Sequence, residues 1–311
     1  MMKLLFQKLP CCFKGERSLR WGTTFLWGIV ATLVFMLYGL GGNVEEVEHI
    51  GRSSIRWMIL EWNTKSGEYS HGWLVPLVSL AAIWRIRKEL VAVPKKVCGY
   101  GLGIIGLALL LYWFGIKAQQ TRLVLMSLPL LLWGIPVFVF GWSAGRLFIF
   151  PCAYLAFCVP LVFIDAVAFP LRLLASSLSE VLLNGVGIPV SRAGTAITSL
   201  TGGRFNIDVA DPCSGLHSLM AMAALGAAYA YFNHRRALAQ WMLFIGSLPI
   251  AVAGNVIRVA SIAVVATFFG QENAMTFYHD YSGYVMFGAA VLLMMGLGNL
   301  IKHYVEKRGI Q

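Results

Sequence analysis

The sequence predicts an all-α polytopic membrane protein with about eight transmembrane helices, an amphipathic helix at the interface and a small extracytoplasmic cap. Three observations lead there. Apolar residues make up 58% of the chain and charged residues 13%, about half the charged share of a soluble domain. Apolar runs recur along the chain, most of them near the length that spans a bilayer. The cations gather in short connections between those runs. Of the 25 Lys and Arg, 16 fall on one side of the resulting map, 8 on the other, and Arg258 inside a run. That asymmetry reads as an orientation signal. It accounts for the formal charge of +11 with the lipid bilayer as partner and no nucleic acid.

Residues 1–20 form a basic cytoplasmic N-terminus with Lys3, Lys8, Lys14, Arg17 and Arg20. The first run, 21–41, exceeds a signal-peptide core and lacks a cleavage site, so it is expected to stay as a helix. The segment 42–72 is polar and acidic and is placed outside. A short second span, 73–84, then leads to a basic cytoplasmic loop with Arg85, Arg87, Lys88, Lys95 and Lys96. A third span covers 98–116, the outer turn KAQQTR follows, and a fourth covers 123–141. Arg146 marks an inner turn before a fifth span at 147–164, which holds Pro151 and Pro160.

The stretch 165–212 is the longest connection and the expected outer cap. From Phe169 to Leu183, apolar residues Leu171, Leu174, Leu178, Val181 and Leu182 recur at helical spacing, which predicts an amphipathic interfacial helix. From Ile188 to Val209, Gly, Thr and Ser separate single apolar residues, which suits a short hairpin. A sixth span, 213–232, is rich in Ala and Gly and so suited to close packing. The seventh run, 241–269, is too long for the hydrocarbon core unless tilted or kinked. Its Pro249 and Gly254 predict a break. A polar connection, 270–283, an eighth span, 284–301, and a basic cytoplasmic tail, 302–311, complete a single transmembrane domain over 21–301 with both termini inside.

Chemistry-bearing residues collect around the sixth and seventh runs. The polar stretch RFNIDVADP runs into CSGLHSL, putting Cys213, Ser214, Gly215 and His217 at the mouth of a span on the outer face. A thiol at a helix N-terminus meets free N–H groups and the positive end of the dipole, which favour the thiolate. His279, in the outer connection, can serve as its base. Arg258 lies inside an apolar run, where a guanidinium costs about 2.5 kcal/mol or more and is usually kept for a function. It can hold the oxyanion of a tetrahedral intermediate, with Asn255 one turn earlier as a further donor or as the orienter of the imidazole. Its structural alternative is an ion pair with Asp208 or Asp211. His71, in the string YSHG at the entrance of the second span, serves either as an interface anchor or as part of the site. The six cysteines, Cys11, Cys12, Cys98, Cys152, Cys158 and Cys213, show no CxxC or CxxxC spacing. Free thiols are expected, with no cofactor and no structural metal.

Four motifs in order, YSHG before WLVP, CSGLHSL, NVIR and a histidine before the last span, resemble the exosortase/archaeosortase family from about residue 57 to 300. The resemblance implies a membrane cysteine peptidase or transpeptidase, a functional analogue of sortases. It implies Cys213 as nucleophile, Arg258 as essential guanidinium and His279 as base. Its partners would be proteins with a C-terminal sorting tail, made of a Pro-Glu-Pro-type motif, a transmembrane helix and a basic end. An amine-bearing acceptor of unknown identity would complete the reaction. The expected site is the bacterial plasma membrane, with the active site facing the periplasm. The pattern departs at Pro212 and His217, where bacterial members usually carry Ala and Arg. Two other classes stay open: a metal-binding membrane protein using Cys213, His217 and His279, and a transporter built around the interrupted seventh run.

Overall fold

The computed structural model describes residues 22–44, 51–64, 69–160, 163–200, 205–208 and 216–306. Most of the described residues are helical, and the described strands form one three-stranded sheet. The chain divides into two compact units, one reaching Pro160 and the other beginning at Leu161.

In the first unit, helix α1 (Gly22–Val34) passes into a wider turn, Phe35–Gly39. Tyr38 in that turn is buried and its hydroxyl meets Ser127 Oγ at 2.6 Å. A short helix that the sequence did not announce, α2 (Ser54–Trp62), starts where Ser53 Oγ accepts from the Arg56 N–H, a side-chain N-cap. Helix α3 (Leu74–Ala92) corrects the reading of a basic loop after residue 84. Arg85, Arg87 and Lys88 ride on its last turns. The Arg87 guanidinium lies 3.7 Å over the exposed Trp84 ring, so the long basic side chain covers apolar surface while its charge stays outside.

Helices α4 (Tyr100–Lys117) and α5 (Thr121–Phe140) form an antiparallel hairpin over the KAQQTR turn, where Gln119 adopts φ 53°. Gly101 makes the close approach possible, because a Cβ there would sit 2.3 Å from the Phe138 nitrogen. The expected fifth span is broken into pieces: α6 (Trp142–Gly145), α7 (Ile149–Tyr154) and 3-10 turns at Arg146–Phe148 and Leu155–Cys158. Cys98, Cys152 and Cys158 are free thiols.

The second unit opens with α8 (Phe163–Gly185), longer than the amphipathic helix expected over 169–183. Its apolar residues Leu174, Leu178, Val181 and Leu182 face outward, while Ala175, Ser176, Ser179 and Leu183 are buried. That is the inverse of a water-soluble helix and suits an apolar surrounding. Strands β1 (Val190–Ala193), β2 (Ala196–Ser199) and β3 (Asn206–Asp208) follow as an antiparallel meander, the hairpin reading extended by one strand.

Helix α9 (Leu216–Asn233) buries Met222, Ala223, Ala224, Ala228 and Ala230. Helix α10 (Ala237–Phe269) runs through Pro249 without interruption, so the expected break is absent. Proline removes one backbone donor and crowds the preceding turn. Here buried Leu243 and Ser247 before it, and Ala251 and Gly254 after it, hold both halves in line. The expected polar connection after residue 269 is largely helical: Gly270, at φ 85°, turns the chain into α11 (Gln271–Asp280), and α12 (Ser282–Ile301) follows. Among the described residues three helices are long and apolar enough to cross a membrane: Tyr100–Lys117, Thr121–Phe140 and Ala237–Phe269.

Candidate functional site

The site grows from one face of α10. Residues 255, 258, 259, 262, 263 and 266 follow the spacing that keeps side chains on a single side of a helix. The later four, Val259, Ile262, Ala263 and Ala266, are buried in a cluster with Leu183 of α8, Val190 of β1, Ile197 of β2, Phe205 beside β3 and Ala274 of α11. The sheet and two helices are thus seated on α10 through one apolar layer. Arg258 and Asn255 continue the same face beyond that layer. Arg258 is 7% exposed and Asn255 6%.

This burial sets the chemistry. The field of a guanidinium buried in an apolar helix is far less screened than in water. Asn255 Oδ1 is fully enclosed and has no hydrogen-bond partner among the described residues, although buried polar atoms are satisfied in the great majority of cases. An acceptor left open at that cost, one turn from a buried cation, is a feature that a ligand N–H or O–H would complete.

The remaining sequence candidates sit as follows. His279 is the penultimate residue of α11, whose Ala274 belongs to the apolar layer on α10. His217 is the second residue of α9. Cys213, Ser214 and Gly215 lie outside the described residues. His71 belongs to the first unit, in a 3-10 turn, Ser70–Trp73. There the Trp62 indole donates to Cys158 O at 2.8 Å and meets the Trp73 ring edge to face. A Cβ on Gly72 would lie 2.3 Å from Trp62 Nε1, so the small residue in YSHG has a packing reason.

A family model described as Transmembrane exosortase matches residues 62–296. The chain belongs to the transmembrane exosortase family. The match takes in all the exosortase candidates named above, His71, Cys213, His217, Asn255, Arg258 and His279 among them. Family membership and the apolar helices together make this exosortase-family chain a multi-pass membrane protein. No curated protein and no solved structure matches it.

Two side chains of the second unit were not singled out in the sequence. Glu180 and Asn184 of α8 hold β1: Asn184 Oδ1 accepts from the Val190 N–H at 3.0 Å, and Glu180 Oε1 accepts from the Arg192 N–H at 3.0 Å. They stand four apart on α8, a spacing that signals a shared face but names no partner.

Proposed function

We propose that this exosortase-family chain is a membrane-embedded thiol peptidase or transpeptidase acting on proteins with a C-terminal sorting tail. Cys213, Arg258 and His279 carry the chemistry. The Cys213 thiolate attacks the carbonyl carbon of the peptide bond next to the target's membrane helix. The oxyanion that forms is stabilised by the Arg258 guanidinium. As the intermediate collapses, the C–N bond breaks, and the His279 imidazolium gives its proton to the leaving amine. A thioester to Cys213 remains. An acceptor amine, or water, then attacks that thioester, His279 takes the nucleophile's proton, and the Cys213 thiolate is released. Eight spans, cytoplasmic termini and a site facing the outside of the plasma membrane fit the distribution of cations in the sequence.

The observation that carries this reading is the buried pair of Arg258 and Asn255 on one face of α10, with an open acceptor on Asn255. A structural ion pair accounts for a buried arginine alone; the neighbouring open acceptor asks for a bound molecule. The experiment is co-expression with a reporter ending in a Pro-Glu-Pro-type tail, comparing wild type with Cys213→Ala and Cys213→Ser. Shortening by the wild type alone, with a hydroxylamine-sensitive intermediate, is the expected outcome. Equal shortening in all three refutes thiol catalysis.

A further inference from the structure

Among the described residues the sheet of the second unit has one closed edge and one open edge, and hydrogen-bond alternation shows which is which. In an antiparallel pair, opposed residues alternate between bonded and non-bonded positions. The Leu200 N–H donates to Pro189 O at 2.9 Å, so with the register Ser191↔Thr198 and Ala193↔Ala196 the bonded pairs are those two. Val190 and Arg192 therefore turn their backbone groups away from β2. Those groups are met by α8: Asn184 accepts from the Val190 N–H and donates to Val190 O at 3.2 Å, and Glu180 accepts from the Arg192 N–H while its other oxygen lies 3.4 Å from Arg192 Nε. The β1 edge is closed.

The same rule applied to β3 gives the opposite result. The Ser199 N–H donates to Phe205 O at 3.0 Å, so Ile197↔Ile207 is the next bonded pair. Asn206 and Asp208 then direct their N–H and C=O groups away from the sheet. Among the described residues no hydrogen bond reaches those backbone groups, and Asn206 is exposed. A row of unpaired backbone groups is a template for another strand.

Two observations choose the occupant. The sheet is seated by Ile197 and Phe205 on the α10 face that carries Asn255 and Arg258. The chain leaves β3 at Asp208 and reaches Cys213 within five residues, a path of at most about 18 Å. A strand laid along β3 therefore pairs with a segment only five residues of chain from the thiol. We propose that an extended segment of the processed protein adds to β3 as a fourth strand, which aligns its scissile peptide for Cys213. This rests on the thiol-peptidase reading. Strand addition binds through the main chain, so only alternate residues of the segment donate to β3, and proline is admitted only at the positions between them.

The experiment uses the full-length Cys213→Ala protein in detergent and a fluorescent peptide holding a Pro-Glu-Pro-type segment followed by the start of an apolar helix. A series of peptides carries one backbone N-methyl group each, at successive non-proline positions. Binding is expected to weaken about tenfold at alternate positions, the worth of one lost hydrogen bond, and to stay unchanged between them. Asn206→Pro, which removes an outward N–H, is expected to weaken the parent peptide by a similar factor at an unchanged melting temperature. A methylation effect without alternation overturns the proposal, as does an Asn206→Pro protein that binds like its parent or loses only self-association. Should that variant fail to fold, the peptide series on the parent decides alone. Cleavage of the same peptides by the wild type separates the two readings: cleavage indifferent to methyl position refutes strand addition and leaves the peptidase standing.

Discussion

Asn255→Leu separates stability from function at the position where they are most opposed. Asn255 Oδ1 is enclosed without a partner among the described residues, and a buried polar atom in that state costs about 1–3 kcal/mol. Leucine is also γ-branched and of similar length, and it is a slightly better helix former. The substitution should therefore stabilise the protein by about 1–3 kcal/mol. At roughly 2–4 °C per kcal/mol for a unit of this size, the rise is measurable by thermal unfolding in detergent. Processing of a sorting-tail reporter should fall in the same variant by about 10²–10³-fold, the loss expected for a group that serves the transition state. A variant that melts lower and still processes the reporter would refute the reasoning, because Asn255 would then be a satisfied structural residue.

Three further outcomes follow from the same observations. Arg258→Lys keeps the charge but loses the planar fork, so reporter processing should drop by about 10²-fold or more while the protein still inserts and folds. His217→Ala should slow processing far less than Cys213→Ala; equal loss, together with stoichiometric zinc in the wild type, would favour the metal-binding class. Gly101→Ala tests packing alone. Helix propensity favours Ala by about 1 kcal/mol, yet the added Cβ would meet the Phe138 nitrogen at 2.3 Å, so a net loss of about 1–3 kcal/mol is expected in thermal unfolding.

The long apolar runs were legible from the sequence. The stretches read as spans at 98–116, 123–141 and 241–269 reappear as helices at 100–117, 121–140 and 237–269. Burying backbone polar groups in an apolar medium leaves few alternatives to helix, so length and hydropathy suffice. The candidate Arg258 was legible for a related reason, since a charge in an apolar run stands out against its neighbours. Charge after residue 84 signals the end of a helix in the sequence, whereas in the fold Arg87 continues α3 by stacking on Trp84. The helix at 271–280 was missed because its sequence is polar, and it is Ala274, packed against α10, that fixes it.

Composition, hydropathy and the order of a few motifs were enough to fix the membrane character and the family and to nominate a short roster of candidate side chains, because each is a property of a short stretch of chain. Other features needed residues far apart in sequence to meet. Pro249 bends the local preference toward a break, and contacts on both sides of it keep α10 whole. The apolar stripe of α8 has the same spacing whichever way it turns; burial of Ser176, Ser179 and Leu183 decides that it turns outward. Whether β1 or β3 offers a free edge depends on Glu180 and Asn184 reaching one strand and on no described residue reaching the other. Asn255 is an ordinary polar residue in the sequence, and it becomes informative through enclosure alone. Hydrogen-bond satisfaction and enclosure are relations between segments, so only the folded chain could set them.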